Sequence, residues 1–125
     1  MAISQVNVSS PSNEIIYNST DMGLAEGIKS SSAVVFAVTI DNTANVAASY
    51  VKLFNLASGS VTLGSTTPDE VIYVPAGVIS TVVFYTGANP GKTFGTALTA
   101  ACVTTGGTTG NTPPSSDVAV TINYQ

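Results

Sequence analysis

Alternation of apolar and polar residues along the chain predicts β-strands. The C-terminal segment 118–124, VAVTINY, places an apolar residue at every second position. A period of two puts these residues on one face of a strand and the intervening residues on the other. Segment 33–40 carries a second such row at Val34, Phe36, Val38 and Ile40, and its other face is also fairly apolar. Two apolar faces predict a central or covered strand.

Further strands are predicted from residue type. Six segments are rich in the β-branched and aromatic residues that strands prefer, namely 3–8, 14–17, 49–56, 71–74, 78–86 and 98–104. Turn signals lie between them at 41–42, 57–59, 75–77 and 89–91. Pro90 and Gly91 suit a type II turn, in which Gly91 takes a positive φ. Segment 21–29 contains two glycines and is interpreted as a loop or a single helical turn.

Short strands separated by turns predict an all-β protein. We expect a single antiparallel β-sandwich domain over residues 1–125, with about 7–9 strands. The alternation does not distinguish a jelly roll from an immunoglobulin-like Greek key. The Thr- and Gly-rich segment 104–117 is predicted to be an exposed, mobile loop. Residues 1–12 form either an extended N-terminal arm or the first strand of the domain.

Charge is scarce, and this bears on the partners. Only 8% of the 125 residues are charged, against about 25% in a typical soluble domain. A surface built mainly from Ser, Thr, Asn and Gly has little charge repulsion, which favours a subunit of an assembly. The net charge is −4 and all three basic residues are lysines, so no nucleic acid partner is expected. The longest apolar run, AVVFAV, is too short to span a bilayer, and no membrane association is expected.

Candidate catalytic chemistry is thin. The chain has no histidine, which excludes Ser-His-Asp and Cys-His catalysis. Asp69 and Glu70 are adjacent, but neighbouring side chains in a strand point to opposite faces, so we interpret them as the polar start of a strand. Cys102 is interpreted as a small buried hydrophobe, and the loop after Asp41 as a turn rather than a Ca²⁺ site. We therefore predict no enzyme and no catalytic, cofactor-binding or metal residues.

The central block of the chain resembles small structural proteins of tailed bacteriophages. The matching motifs are KLFN at 52–55, Gly64 with TTP at 66–68, VPAG at 74–77 and FGTALTAA at 94–101. The resemblance covers about residues 49–124, and its motifs are turn and packing motifs. Small proteins of this kind are often capsid decoration, or cement, proteins.

The resemblance implies a function and partners. Decoration proteins sit on the outer surface of the virion, commonly as trimers, and brace the major capsid protein; they are made in the bacterial cytoplasm. Ile3, Val6 and Val8 then become candidate assembly contacts, on an arm that adds a strand to an adjacent subunit. The alternative is a receptor- or glycan-binding β domain of a phage tail or capsid. Its candidate sugar-stacking residues are Tyr17, Tyr50, Tyr73, Tyr85 and Tyr124.

Overall fold

The described residues form nine β-strands in two antiparallel sheets. The computed structural model describes residues 15–20, 25–86 and 88–125. The strands are β1 (Ile15–Ser19), β2 (Glu26–Lys29), β3 (Ala33–Asp41), β4 (Ser49–Phe54), β5 (Glu70–Val74), β6 (Ile79–Val83), β7 (Lys92–Phe94), β8 (Leu98–Val103) and β9 (Ala119–Tyr124). A 3-10 turn spans Ser58–Ser60. The predicted all-β class is confirmed.

The strand order is that of a jelly roll. The five-stranded sheet has the order β1-β9-β3-β6, with the short β7 also paired to β3, and the four-stranded sheet has the order β2-β8-β4-β5. The pairs β4–β5, β3–β6, β2–β8 and β1–β9 are nested, as if one long antiparallel hairpin had been wrapped into two layers. Such wrapping generates the two Greek keys of a jelly roll. Of the two predicted topologies, the described residues therefore form the jelly roll.

The core lies between the two sheets and follows the predicted alternation in most strands. In β9, the apolar residues of every second position are buried, as predicted. Every residue of β8 is buried, because its inner face meets the core and its outer face is also covered. The aliphatic core residues contributed by the central strands are Val38, Ile40, Val51, Leu53, Leu98, Val120 and Ile122.

The apolar row predicted within 33–40 is wrong in its first half, because β3 contains a bulge. Its pairing with β9 skips Phe36. The extra residue reverses the alternation, so Val35 rather than Val34 faces the core together with Val38. Phe36 instead packs its ring edge-on against Tyr85, with ring centroids 6.2 Å apart. The prediction that β3 is central is confirmed, since it pairs with β6, β7 and β9.

Two strands and one turn differ from the sequence prediction. The segment interpreted as a loop or helical turn contains β2, which forms by pairing with β8. The strand β7 was not predicted, and it pairs with the first part of β3. Gly91 does have a positive φ, but its value of 141° is far from type II geometry. Its N–H donates to Asn89 Oδ1 instead, and a Cβ there would lie 2.4 Å from the Val35 carbonyl oxygen.

Candidate functional site: the two outer sheet faces

On the outer face of the four-stranded sheet, the central strands β4 and β8 are covered by the chain's own loops, while Tyr73 of β5 remains 54% exposed. Since Val51 and Leu53 face the core, the intervening residues of β4 point outward. They are nevertheless buried, as are their outward-facing neighbours on β8; the set is Lys52, Phe54, Thr99, Ala101 and Val103. The connection 104–117, named here the covering loop, lies over part of this face. The prediction of an exposed loop is confirmed for most of its residues, and Gly110 is the one buried residue within it.

Lys52 anchors the covering loop from below. Its side chain is 1% exposed, and its Nζ donates to the backbone carbonyl of Gly110 at 3.0 Å. Burial lowers the pKa of this ammonium, because the charged form loses hydration. Nearby, Gly106 lies against the ring of Tyr50. Lys52, which the sequence places in a predicted strand, therefore holds the covering loop against the sheet through a buried hydrogen bond.

A buried asparagine organises the turn after β3. Asn42 is 0% exposed, and its Nδ2 donates to the carbonyls of Ala47 and Pro75, at 3.0 and 3.1 Å. Its Oδ1 accepts from Ser49 Oγ and from Asn45 Nδ2, each at 3.0 Å. The turn predicted at 41–42 is confirmed, but here the side chain satisfies backbone groups from two other segments.

Asn45 extends this network to the covering loop. Its Nδ2 donates to the carbonyl of Ser116 at 2.9 Å, while its Oδ1 accepts from the Ser116 N–H at 2.9 Å. The hydroxyl of Ser115 also donates to this Oδ1. The covering loop is therefore held near its C-terminal end by Asn45 and near its middle by Lys52.

The outer face of the five-stranded sheet is exposed at β6, whereas the outward-facing residues of β3 and β9 are half-buried. Outward-facing Ile79 and Val83 of β6 are 57% and 61% exposed. Between them, Thr81 lies next to Thr39 of β3, with the two hydroxyl oxygens 3.0 Å apart. The strands β3, β6 and β9 carry one charged residue in total, which is Asp41. This face is thus largely neutral, with exposed apolar side chains at its β6 side.

Asp69 and Glu70 diverge, as predicted. Asp69 Oδ2 accepts from the N–H of Asn55 at 2.7 Å, which ties the end of β4 to the start of β5. Glu70 instead forms an ion pair with Lys92 at 3.2 Å, and this pair joins the two sheets. The two carboxylates act on different neighbours, and the interpretation of a polar strand start is confirmed.

The remaining candidate residues fall into scattered structural positions. Cys102 is buried in the core, and burial raises the pKa of its thiol to about 11. Tyr124 is buried, whereas Tyr50 and Tyr73 pack together with ring centroids 5.4 Å apart. The described residues contain no group of three or more carboxylate or thiol side chains suited to a metal ion. Nor does the described part of the chain contain a helix long and apolar enough to cross a bilayer.

The predicted assembly contacts Ile3, Val6 and Val8 lie outside the described residues. What the structure adds is an exposed surface that sequence reasoning did not select. The only signal in the sequence was the pattern ISTVV at 79–83, with apolar residues on both faces of a predicted strand.

Comparison with known proteins assigns no family. No family model, no curated protein and no solved structure matches the chain. The likeness to phage structural proteins therefore rests on the motifs alone. Within the structure, two of these motifs are joined by a hydrogen bond, in which Asn55 Oδ1 accepts from the N–H of Thr96 at 2.7 Å.

Proposed function

We propose that the protein is a non-enzymatic structural protein of a virion, which decorates and cements the outer surface of a capsid. The observation that carries the proposal is the difference between the two outer faces. The covering loop buries the central part of one face, whereas the β6 side of the other face is exposed, uncharged and apolar. Exposed apolar patches on otherwise polar surfaces mark interaction sites.

The scarcity of charge fits repeated close packing. On a shell, many identical copies with the same net charge lie side by side and repel one another. A chain with three basic and seven acidic residues limits that repulsion. Double-sheet jelly rolls also recur in viral capsid and lectin domains, so the fold is compatible with this role.

The mechanism proposed is stabilisation by preferential binding. A protein that binds the assembled shell, but not its separated subunits, stabilises the shell by mass action. The partners are further copies of this chain, as a homotrimer, and the major capsid protein. Ile3, Val6 and Val8 are proposed to contribute through an arm that adds a strand to a neighbour.

The deciding experiment compares virions with and without the gene for this chain. We expect the protein in purified particles at a fixed ratio to the major capsid protein. Particles that lack it should release their DNA at a lower temperature or under milder osmotic shock. Equal stability of the two kinds of particle would overturn the proposal.

Three further experiments test the alternative function, the oligomeric state and the contribution of the N-terminal arm. A glycan array that binds the isolated protein, together with its absence from the capsid, would favour a receptor-binding domain. Light scattering should give a mass three times that of the chain for the proposed trimer. A triple variant with Ile3→Ser, Val6→Ser and Val8→Ser should remain folded but should no longer bind the capsid.

A further inference from the structure

Among the described residues, one edge of strand β6 is not paired with another strand. Phe84 N–H donates to the Phe36 carbonyl, and Asn42 N–H donates to the Val78 carbonyl. Hydrogen-bonded pairs alternate along an antiparallel ladder, so the even-numbered residues of β6 bond to β3. The N–H and C=O groups of Ile79, Thr81 and Val83 therefore point away from β3. No other described strand pairs with them.

This edge lacks the usual guards against pairing with another chain. Natural edge strands carry lysine, proline, bulges or inward-pointing charges. The strand β6 has the sequence ISTVV, and its pairing with β3 runs without a register shift. The whole stretch from residue 71 to residue 91 contains no Asp, Glu, Lys or Arg. The edge of β6 is therefore uncharged, and it presents backbone hydrogen-bonding groups together with exposed apolar side chains.

We propose that two copies of the chain associate by pairing β6 with β6 in antiparallel orientation, about a twofold axis at Thr81. The two five-stranded sheets then become one continuous sheet. This inference does not rest on the decoration role, because it uses only β6 and its edge.

The register at Thr81 makes the strand complementary to itself. Thr81 lies opposite its counterpart, and Ile79 lies opposite Val83 of the other copy. All three residues have free backbone groups, so the pairing forms about six hydrogen bonds between the copies. The apolar side chains of Ile79 and Val83 meet on the same outer face, which stabilises the pair further. A shift by one residue would place bonded groups opposite free ones and lose these contacts.

Charge supports a second copy as the occupant. A twofold axis at Thr81 brings this residue opposite its own counterpart, so a charge there would face a like charge at close range. A charge-free strand avoids this cost. A five-residue edge buries less than the roughly 1,200 Å² at which stable interfaces begin. We therefore expect a reversible dimer with a Kd on the order of 10–1,000 μM.

The first test measures mass against concentration. Sedimentation velocity of the isolated protein should show association that increases from about 10 μM to 1 mM, in line with the expected Kd. Thr81→Lys places two ammonium groups at the axis and should abolish this step. Thr62→Lys is the matched control, since Thr62 is exposed and lies in the connection between β4 and β5. Circular dichroism and melting temperature establish that both variants fold.

The second test reads the register by disulfide cross-linking. Hydrogen-bonded antiparallel residues have Cα atoms about 5.5 Å apart, within the range that a disulfide spans. Thr81→Cys alone should cross-link to itself. Ile79→Cys should cross-link to Val83→Cys when the two variants are mixed, but not to itself. Val46→Cys, at a position that is 97% exposed, controls for random collision.

The outcomes separate this proposal from the decoration role. If the Thr81→Lys variant still forms a trimer but its trimers no longer associate with one another, the β6 pairing and the decoration role are both supported. A protein that shows no association through β6 up to 1 mM overturns the β6 pairing and leaves the decoration role standing. Cross-linking of Val46→Cys as fast as Thr81→Cys, or association unchanged by Thr81→Lys, also overturns it.

Discussion

At the scale of single residues, Lys52 combines burial with positive charge. Its Nζ contacts the Gly110 carbonyl beneath the covering loop, and burial lowers the pKa of its ammonium. The unfolded chain then binds this proton more tightly than the folded chain does. The Lys52 contribution to stability therefore rises as pH increases from the folded pKa towards the unfolded one.

The variant Lys52→Met should separate this effect from other titrations. We expect the free energy of unfolding of the native protein, relative to the variant, to increase between pH 7 and pH 10. Urea unfolding at both pH values measures it, with the partly exposed Lys29→Met as the matched control. A difference between native protein and Lys52→Met that does not vary with pH would contradict the prediction.

The side chain of Asn42 makes four hydrogen bonds, although the residue lies at a turn. In Asn42→Ala, two carbonyls lose their donor, and Ser49 and Asn45 lose their acceptor. Buried polar groups without partners cost about 1–3 kcal/mol each, so we expect a loss of about 3 kcal/mol or more in unfolding free energy. Thermal and urea unfolding measure it. Asn111→Ala, at an exposed position of the covering loop, should change stability by less than about 0.5 kcal/mol.

At the scale of elements, the covering loop behaves as part of the sandwich. Gly110 is buried within it, and a Cβ there would lie 2.4 Å from the Thr105 carbonyl oxygen. Gly110→Ala must therefore displace backbone and disturb the contact with Lys52. We expect a loss of about 1–3 kcal/mol in unfolding free energy.

The matched control for that substitution is Gly59→Ala. A Cβ at Gly59 meets no atom within 4 Å, and the residue is exposed. We expect this variant to unfold within about 0.5 kcal/mol of the native protein. Equal melting temperatures for Gly110→Ala and Gly59→Ala would show that the covering loop is not held as described.

The elements that the sequence predicts are those in which local pattern and environment agree. The strand β9 alternates cleanly, because one face meets the core along its whole length. The strand β2 has no such pattern and exists through its pairing with β8. The bulge at Phe36 depends on the register with β9, which no local pattern contains.

The candidate surfaces were less predictable for the same reason. The burial of Lys52 depends on a carbonyl 58 residues further along the chain. The free edge of β6 depends on sheet order, since the segment itself has the pattern of any strand. The sequence locates this strand, but it does not show which strands pair with it. Ile3, Val6 and Val8, which the phage resemblance places on an N-terminal arm, remain a prediction.

At the scale of the whole molecule, stability comes from packing rather than from charge. The ion pair between Glu70 and Lys92 joins the sheets, but both side chains are about one-third exposed, at 31% and 33%. Exposed pairs contribute about 0–1 kcal/mol and are screened by salt. The large buried surface between the sheets is insensitive to such screening.

We therefore expect the unfolding free energy to change by less than about 1 kcal/mol between 0.05 M and 0.5 M NaCl. Urea is the suitable denaturant, because it adds no ions. Glu70→Gln should unfold with the same weak dependence on salt. A change of several kcal/mol would indicate that electrostatic interactions hold the sheets together.

The charge-free stretch from residue 71 to residue 91 also determines which conditions can control the edge of β6. It contains no group that ionises between about pH 5 and pH 9, and little charge that salt could screen. Apart from Asp41 of β3, which lies opposite Ile79, the described residues at this edge therefore offer no charged group on which acidification, ionic strength or metal ions could act. What remains is the number of copies in a given volume, together with temperature, through which the hydrophobic contribution varies. Association through this edge would then respond mainly to the local concentration of the protein.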